Sequence, residues 1–237
     1  MPLYKEQGIV LRTMKLGEAD RIVTLLTQGS GKVRAVAKGV RKTRSKFGAR
    51  LDPFTHVDLL LYKGRDLDIV TQAEIITSFR EIRDSYDRFA AGETILEAID
   101  RVAQEHERSV RTFMLLLGAL RQLAQTDEPP VVVDAFLLRL VALAGFRPHF
   151  SACASCGTPG PHMRFSVAQG GMVCESCRSG AAVRLAEATP PYLATLMDDH
   201  WSADAPDDVR REGSGLVRAF VEYHFDRPLR AWSHMPR

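Results

Sequence analysis

The chain has 237 residues, 45% of them hydrophobic and 26% charged, a composition that excludes disordered and fibrous classes and leaves ample material for a packed core. The net charge of +3 hides an asymmetry: residues 1–80 carry fifteen Lys and Arg against eight Asp and Glu, a balance of +7, and the remainder sums to −4. The N-terminal part is therefore expected to face a polyanion. Met1-Pro2-Leu3-Tyr4-Lys5-Glu6 lacks the basic-then-apolar pattern of a signal peptide. Phe113 to Leu120 is too short to span a bilayer, and Asp134 and Arg139 interrupt the apolar run Val131 to Phe146. These features predict a soluble, cytoplasmic protein.

Residues 1–80 read as β. Strands are predicted around Gly8-Ile9-Val10-Leu11, Arg21 to Thr27, Lys32 to Ala37, Thr55 to Tyr62 and Leu67 to Thr77, each an aliphatic or β-branched run bounded by Gly or Asp. Five short strands in this length suit a small closed barrel. The OB-fold is the commonest such barrel that binds nucleic acid, and an SH3-like barrel fits the pattern almost as well.

Past Asp84 the period becomes helical, with Phe89, Ile95, Leu96, Ile99, Val102 and Ala103 recurring on one face. Ser109 is placed to cap a second helix running to Leu123. Pro129-Pro130 opens a third, Val131 to Ala144, which is apolar nearly all round and belongs at the centre of a bundle. A cysteine-bearing loop region spans Phe150 to Gly180, and helices resume near Pro190 to His200 and Asp207 to Phe225. The expected class is α+β: a five-stranded OB-like β-barrel over residues 1–80, then an all-helical domain over 81–237 with a four-cysteine zinc site inserted at 150–180.

Cys153-Ala154-Ser155-Cys156 and Cys174-Glu175-Ser176-Cys177 stand seventeen residues apart. Two short knuckles, each offering two thiolates, complete a tetrahedron around one zinc ion. Gly157 and Gly170-Gly171 supply the tight backbone that the knuckles need. Catalytic zinc keeps an open position, which four cysteines would fill, and the His-x-Glu of zinc deaminases occurs nowhere in the chain. His149 and His162 lie near enough in sequence to replace a thiolate. The zinc is read as structural.

Between Asp20 and Asp52 there is no acidic residue, and nine cations fall in the interval. Lys32, Arg34, Lys38, Arg41, Lys42, Arg44 and Lys46 are the candidate phosphate contacts, with Lys32, Arg34 and Lys38 at even offsets along a predicted strand. Phe47, Phe54 and Tyr62 offer either base stacking or barrel core. The other reading of the basic run is an adaptor surface for an acidic protein partner.

Enzyme signals fail one by one. Gly29-Ser30-Gly31-Lys32 lacks both the earlier Gly and the following Ser or Thr of a phosphate loop. Asp66 and Asp68 alternate with Leu67 and Ile69 as an exposed strand face would. Glu105-His106-Glu107 reads as a solvated helix terminus. No catalytic residue is assigned.

Taken together, Gly8-Ile9-Val10-Leu11, Gly17-Glu18-Ala19-Asp20-Arg21-Ile22-Val23, Leu26-Thr27 and Gly31-Lys32 resemble the opening of RecO proteins. Ala37-Lys38-Gly39-Val40-Arg41-Lys42 with Ser45 resembles that family's basic segment, and Leu51-Asp52-Pro53-Phe54 and Leu67-Asp68-Ile69 resemble its next landmarks. The cysteine pairs match its zinc-bearing branch. The resemblance implies an OB-fold, a helical domain carrying zinc, binding of single- and double-stranded DNA, and annealing of complementary strands in the nucleoid. It implies action with RecR, and in some lineages RecF, in loading RecA onto DNA coated by single-stranded-DNA-binding protein. The acidic, apolar tail of that coating protein would bind the helical domain, with Arg121 and Arg139 as candidate contacts.

Overall fold

The computed structural model describes residues 2–42, 45, 47–198, 200–225 and 228–235. They form two compact units, Met1–Gln125 and Thr126–Arg237.

The first unit is built on strands β1 (Leu3–Leu16), β2 (Asp20–Thr27), β3 (Gly31–Ala37), β4 (His56–Tyr62) and β5 (Asp68–Thr77). They close into a barrel in the order β1-β2-β3-β5-β4. Strand β1 is far longer than expected because it serves two neighbours. Its first half pairs antiparallel with β4, from Leu3 opposite Tyr62 to Ile9 opposite His56. Its second half pairs with β2, and a bulge between Val10 and Arg12 bends it from one partner to the other. The ring closes through a short parallel contact of Ala35 with Asp68 and Val36 with Ile69. This is the OB connectivity, and the parallel closure separates it from the SH3-like alternative.

The barrel interior is filled by Val10, Val23, Leu25, Val33, Ala35, Val57, Leu59, Leu61 and Val70, with Phe47 and Leu51 packed against them from the β3–β4 connection. Phe47 and Phe54 are fully buried, so both belong to the core and neither offers a face to a base. Tyr62 keeps 36% of its surface exposed. Phe54 adopts φ 71° and sets its ring edge-on to Phe89, 5.6 Å between centroids. Gly92 makes room for it, since a Cβ there would lie 2.6 Å from the Phe54 ring.

Three helices complete this unit: α1 (Arg80–Arg83), α2 (Tyr86–Val102) and α3 (Val110–Leu123). Ser85 and Ser109 cap α2 and α3 by accepting from Arg88 N and Thr112 N, each cap contributing about 1 kcal/mol. Arg83 fastens the first turn to the barrel, donating to Ser78 O at 2.6 Å, Pro53 O at 2.7 Å and Thr55 Oγ1 at 2.6 Å.

The second unit centres on α4 (Pro129–Leu143), with α5 (Thr189–Met197) and α6 (Asp207–His224) packed together with it. Every residue from Val131 to Leu138 is buried, as a nearly all-apolar helix requires. Between α4 and α5 the cysteine region is more ordered than a loop. It holds strands β6 (Arg164–Ser166), β7 (Gly171–Val173) and β8 (Val183–Arg184) in the order β7-β6-β8. Among the described residues, no helix is long and apolar enough to cross a membrane.

One carboxyl is buried among the helices of this unit. Asp134, on α4, is buried and receives a hydrogen bond from Ser214 Oγ at 3.2 Å. It lines a cavity of about 860 Å³ together with Pro130, Tyr192, Arg210, Ser214 and Trp232. Burial pushes its carboxyl up to about 8, against the smaller opposing effect of the Ser214 hydrogen bond. The folded state thus holds this proton to higher pH than the unfolded chain. Stability is complete below the ordinary carboxylate range and is lost as pH rises toward 8. Urea melts at pH 5 and pH 8 should show this loss, at up to about 1.4 kcal/mol per pH unit in the window. Asp134→Asn should flatten the dependence, and an unchanged slope would show that the carboxyl is not the source.

Candidate nucleic-acid interface and metal centre

The outward face of β3 alternates with its buried face, so Lys32 and Arg34 emerge half-buried on the barrel wall. Both meet acids. Lys32 Nζ lies 2.7 Å from Asp100 O and 3.5 Å from Asp100 Oδ1, and Arg34 Nη1 lies 3.7 Å from Glu105 Oε1. Asp100, on α2, also draws Arg12 of β1, whose Nε is 2.7 Å from Oδ2. Nothing in the sequence pattern marks these partners, because they lie some seventy residues along the chain from the β3 cations they meet.

The strand ends at Ala37, so Lys38 lies in the following turn and off the β3 face. That turn is folded against the β1–β2 turn. Asp20 Oδ1 accepts from Gly39 N at 2.7 Å, Arg41 N donates to Ala19 O at 2.9 Å, and Arg41 Nη1 donates to Glu18 O at 3.0 Å. Gly39, at φ 68°, supplies the left-handed bend. Lys38, Arg41 and Lys42 are exposed, and no carboxylate pairs with them among the described residues. Arg41 is held by carbonyl oxygens, which leaves its charge uncompensated. Arg44 and Lys46 lie outside the described residues.

The carboxylates near this surface are structural. Asp20 holds the β3 turn as described. Asp68 is 4% exposed, against the expectation of a solvent-facing strand position. It accepts from the Tyr4 hydroxyl and from Gly64 N at 2.9 Å, and Lys63 Nζ lies 3.7 Å away, so it fixes the β4–β5 turn. Burial, aided by Asp68, pushes the Tyr4 hydroxyl far above its ordinary range. Arg139 is occupied as well: it donates to Leu196 O at 3.0 Å and Asp198 O at 2.5 Å, covering the end of α5.

The four cysteines come together. The Sγ atoms of Cys153, Cys156, Cys174 and Cys177 all lie within 4.8 Å of one another, the one such metal-capable cluster among the described residues. The separation of Cys156 and Cys174 is 3.8 Å, which matches the edge of a tetrahedron with metal–sulfur bonds of about 2.3 Å. Each knuckle is a short turn: Gly157 N donates to Cys153 O at 2.8 Å, with Gly157 at φ 75°, and Cys177 N donates to Cys174 O at 3.1 Å. Ala154 N donates to Met172 O at 2.7 Å, which ties the first knuckle to β7. A Cβ on Gly171 would lie 2.5 Å from His149 O, so glycine permits that close approach. His149 and His162 fall outside the cysteine cluster, and His162 Nε2 instead meets Thr158 O at 2.9 Å.

The electrostatics ask for a cation. Backbone N–H groups of Cys174 and Cys156 pull the Cys153 thiol down to about 6. The neighbouring thiols, Cys174 foremost, push Cys177 up to about 12. Four sulfurs this close cannot all ionise unless a metal ion compensates them, so the donor set fits a bound metal.

Comparison with known proteins agrees with this architecture. The family model described as Recombination protein O N terminal matches residues 1–79, and that described as Recombination protein O C terminal matches residues 83–233. The DNA repair protein RecO of Thermobifida fusca (strain YX) is 48% identical over 236 residues, covering 98% of this chain and 97% of the relative. That of Streptomyces avermitilis is 49% identical over 248 residues, covering 100% of both chains. That of Nocardioides sp. (strain ATCC BAA-499 / JS614) is 48% identical over 243 residues, covering 99% of this chain and 100% of the relative. With an OB barrel, a helical unit, a four-cysteine cluster and full-length likeness to these proteins, the chain belongs to the RecO family of DNA repair and recombination proteins.

Proposed function

We propose that this chain binds single- and double-stranded DNA through residues 1–80, anneals complementary strands coated with single-stranded-DNA-binding protein, and acts with RecR to help RecA load in recombinational repair. The observation that carries the proposal is the exposed turn bearing Lys38, Arg41 and Lys42, pinned to the barrel with its charge uncompensated. Two strands repel each other as polyanions, and a fixed cationic surface lowers that repulsion while both are held. No covalent chemistry is needed. Arg44 and Lys46 continue the same run in sequence, and Lys32 and Arg34 extend it along β3. The tail of the coating protein is assigned to the helical domain, residues 81–237.

The direct test is annealing of two labelled complementary strands, each coated with single-stranded-DNA-binding protein. Faster pairing in the presence of this chain supports the mediator role. No acceleration by folded protein would overturn it and favour an adaptor for acidic protein partners. Reversing Lys38, Arg41 and Lys42 to Glu should lower affinity for a single-stranded oligonucleotide by orders of magnitude at moderate salt. The log–log salt slope should fall by about 0.7 for each phosphate that is no longer neutralised. Unchanged fluorescence anisotropy titrations would remove these residues from the interface.

We assign zinc as the ion of the cysteine cluster, with a folding role. Cys153, Cys156, Cys174 and Cys177 would hold it, and bound there it supplies a tetrahedral cross-link between the two knuckles. Because metal affinity is then folding free energy, Cys153→Ser with Cys156→Ser should abolish stoichiometric zinc and lower the melting temperature. DNA affinity of the folded fraction should be largely retained. Metal analysis of the purified chain that finds no zinc, or variants that melt as the parent does, would refute the assignment.

A further inference from the structure

The part of β3 that carries Lys32 and Arg34 has a free edge. β3 pairs with β2 along its whole length, whereas β5 reaches it only at Ala35 and Val36. The backbone groups of Lys32 on the other side therefore need partners. The chain just past α2 supplies them. Lys32 N donates to Gln104 O at 3.3 Å, His106 N donates to Lys32 O at 3.1 Å, and Lys32 and Glu105 form a parallel bridge. The approach is so close that a Cβ on Gly31, itself at φ 68°, would stand 2.1 Å from Glu107 O. The glycine at the head of β3 is what admits this segment.

The same segment brings its acids to the cations. Glu105 faces Arg34, and Asp100 on the preceding turn of α2 faces Lys32 and Arg12. The carboxylates occupy the positions that phosphate oxygens would take if β3 were to contact a nucleic-acid backbone. The hold is also light. Residues 104–107 hold by one β-bridge with its two backbone hydrogen bonds and by the 3.7 Å ion pair of Glu105 with Arg34, on partly exposed side chains that salt and a competing polyanion weaken, whereas Asp100 grips Lys32 and Arg12 more closely, at 2.7 Å each. His106 takes a left-handed conformation, φ 62°, that costs a non-glycine residue some strain.

We propose that residues 104–107, with Asp100, form an autoinhibitory strap over β3. The strap masks Lys32 and Arg34 in the free protein, and a DNA strand displaces it and adds those two cations to its binding surface. This rests on the DNA-binding reading above and deepens it: the turn at Lys38 to Lys42 meets the strand first, and the β3 cations join when the strap yields. Strong association thereby becomes conditional on a polyanion long enough to reach both.

The experiment is a set of anisotropy titrations with a single-stranded oligonucleotide over a range of salt, on the full chain. Glu105→Gln with Asp100→Asn should tighten binding roughly tenfold and steepen the salt slope by about 0.7 for each cation released. Glu105→Gln alone, at a half-exposed side chain, guards against a folding defect in the pair. Glu74→Gln, which removes an exposed acid of β5 with no ion pair among the described residues, controls for loss of negative charge as such and should change little. Arg34→Ala should cost more affinity in the double variant than in the parent, because the guanidinium is then free of its carboxylate partner, and the movement of the strap itself is read from exchange. Hydrogen exchange at the His106 amide should quicken when DNA binds. If the parent binds DNA but Glu105→Gln behaves as Glu74→Gln does, or the His106 amide gains protection, the strap is wrong while the DNA-binding reading stands. If the parent binds no DNA, both fall.

Discussion

The N-terminal unit depends on one strand doing two jobs. β1 must pair with β4 at its start and β2 at its end, and neither edge of the sheet is closed without it. An unbent strand of fourteen residues would run off one neighbour before reaching the other. The bulge between Val10 and Arg12 turns it, and Gly8, which is paired to both sides, lets Leu59 and the backbone of Leu26 come close. Once β1 is bent, the short contact of β3 with β5 closes the ring and the aliphatic interior is sealed. The same bend brings the β1–β2 turn under the turn after β3, where Asp20 and the carbonyls of Glu18 and Ala19 hold Gly39 and Arg41. The exposed turn of Lys38, Arg41 and Lys42 is thus held against the barrel.

Charge on this surface is decided by distance as much as by composition. Nine cations without an anion look like one continuous basic face along the sequence. In the folded unit they divide. Among the described residues, Lys38, Arg41 and Lys42 in the turn stand clear of carboxylates, whereas Lys32 and Arg34 on β3 are met by acids of α2 and the segment beyond it. Arg21 also pairs with Asp52, at 3.4 Å. A polyanion approaching the barrel meets a graded field, strongest at the turn and screened by carboxylates along the strand.

The cysteine cluster shows the opposite relation between chain and structure. Four thiols at knuckle spacing leave few arrangements open, and the small β6–β8 sheet serves to bring the two knuckles to one point. The cost is crowding, visible at Cys177, whose thiol the neighbouring thiols push up. Asp134 carries a comparable tension inside the neighbouring helices. At Asp134 burial opposes the charged form, and at Cys177 the neighbouring thiols do.

What the sequence by itself determined follows from local rules. Aliphatic runs ending in Gly or Asp marked five strands, the shift to a helical period marked α2 onward, Ser109 marked a cap, and two Cys-x-x-Cys pairs marked a four-cysteine cluster able to hold a metal ion. Each rests on residues within a few positions of one another, where period and spacing carry physical meaning. Tertiary structure alone decided the rest. Phe47 and Phe54 became core because the β3–β4 connection folds back onto the barrel and α2. Asp68 turned inward because Tyr4 and Gly64 converge on it, contrary to its alternating pattern. Glu105-His106-Glu107, which reads as a solvated helix end, lies on the free edge of β3 because unpaired backbone groups there required a partner and Gly31 left the space. The physical reason is common to all three: burial and electrostatic pairing depend on which segments meet in space, and nothing local in the chain records that.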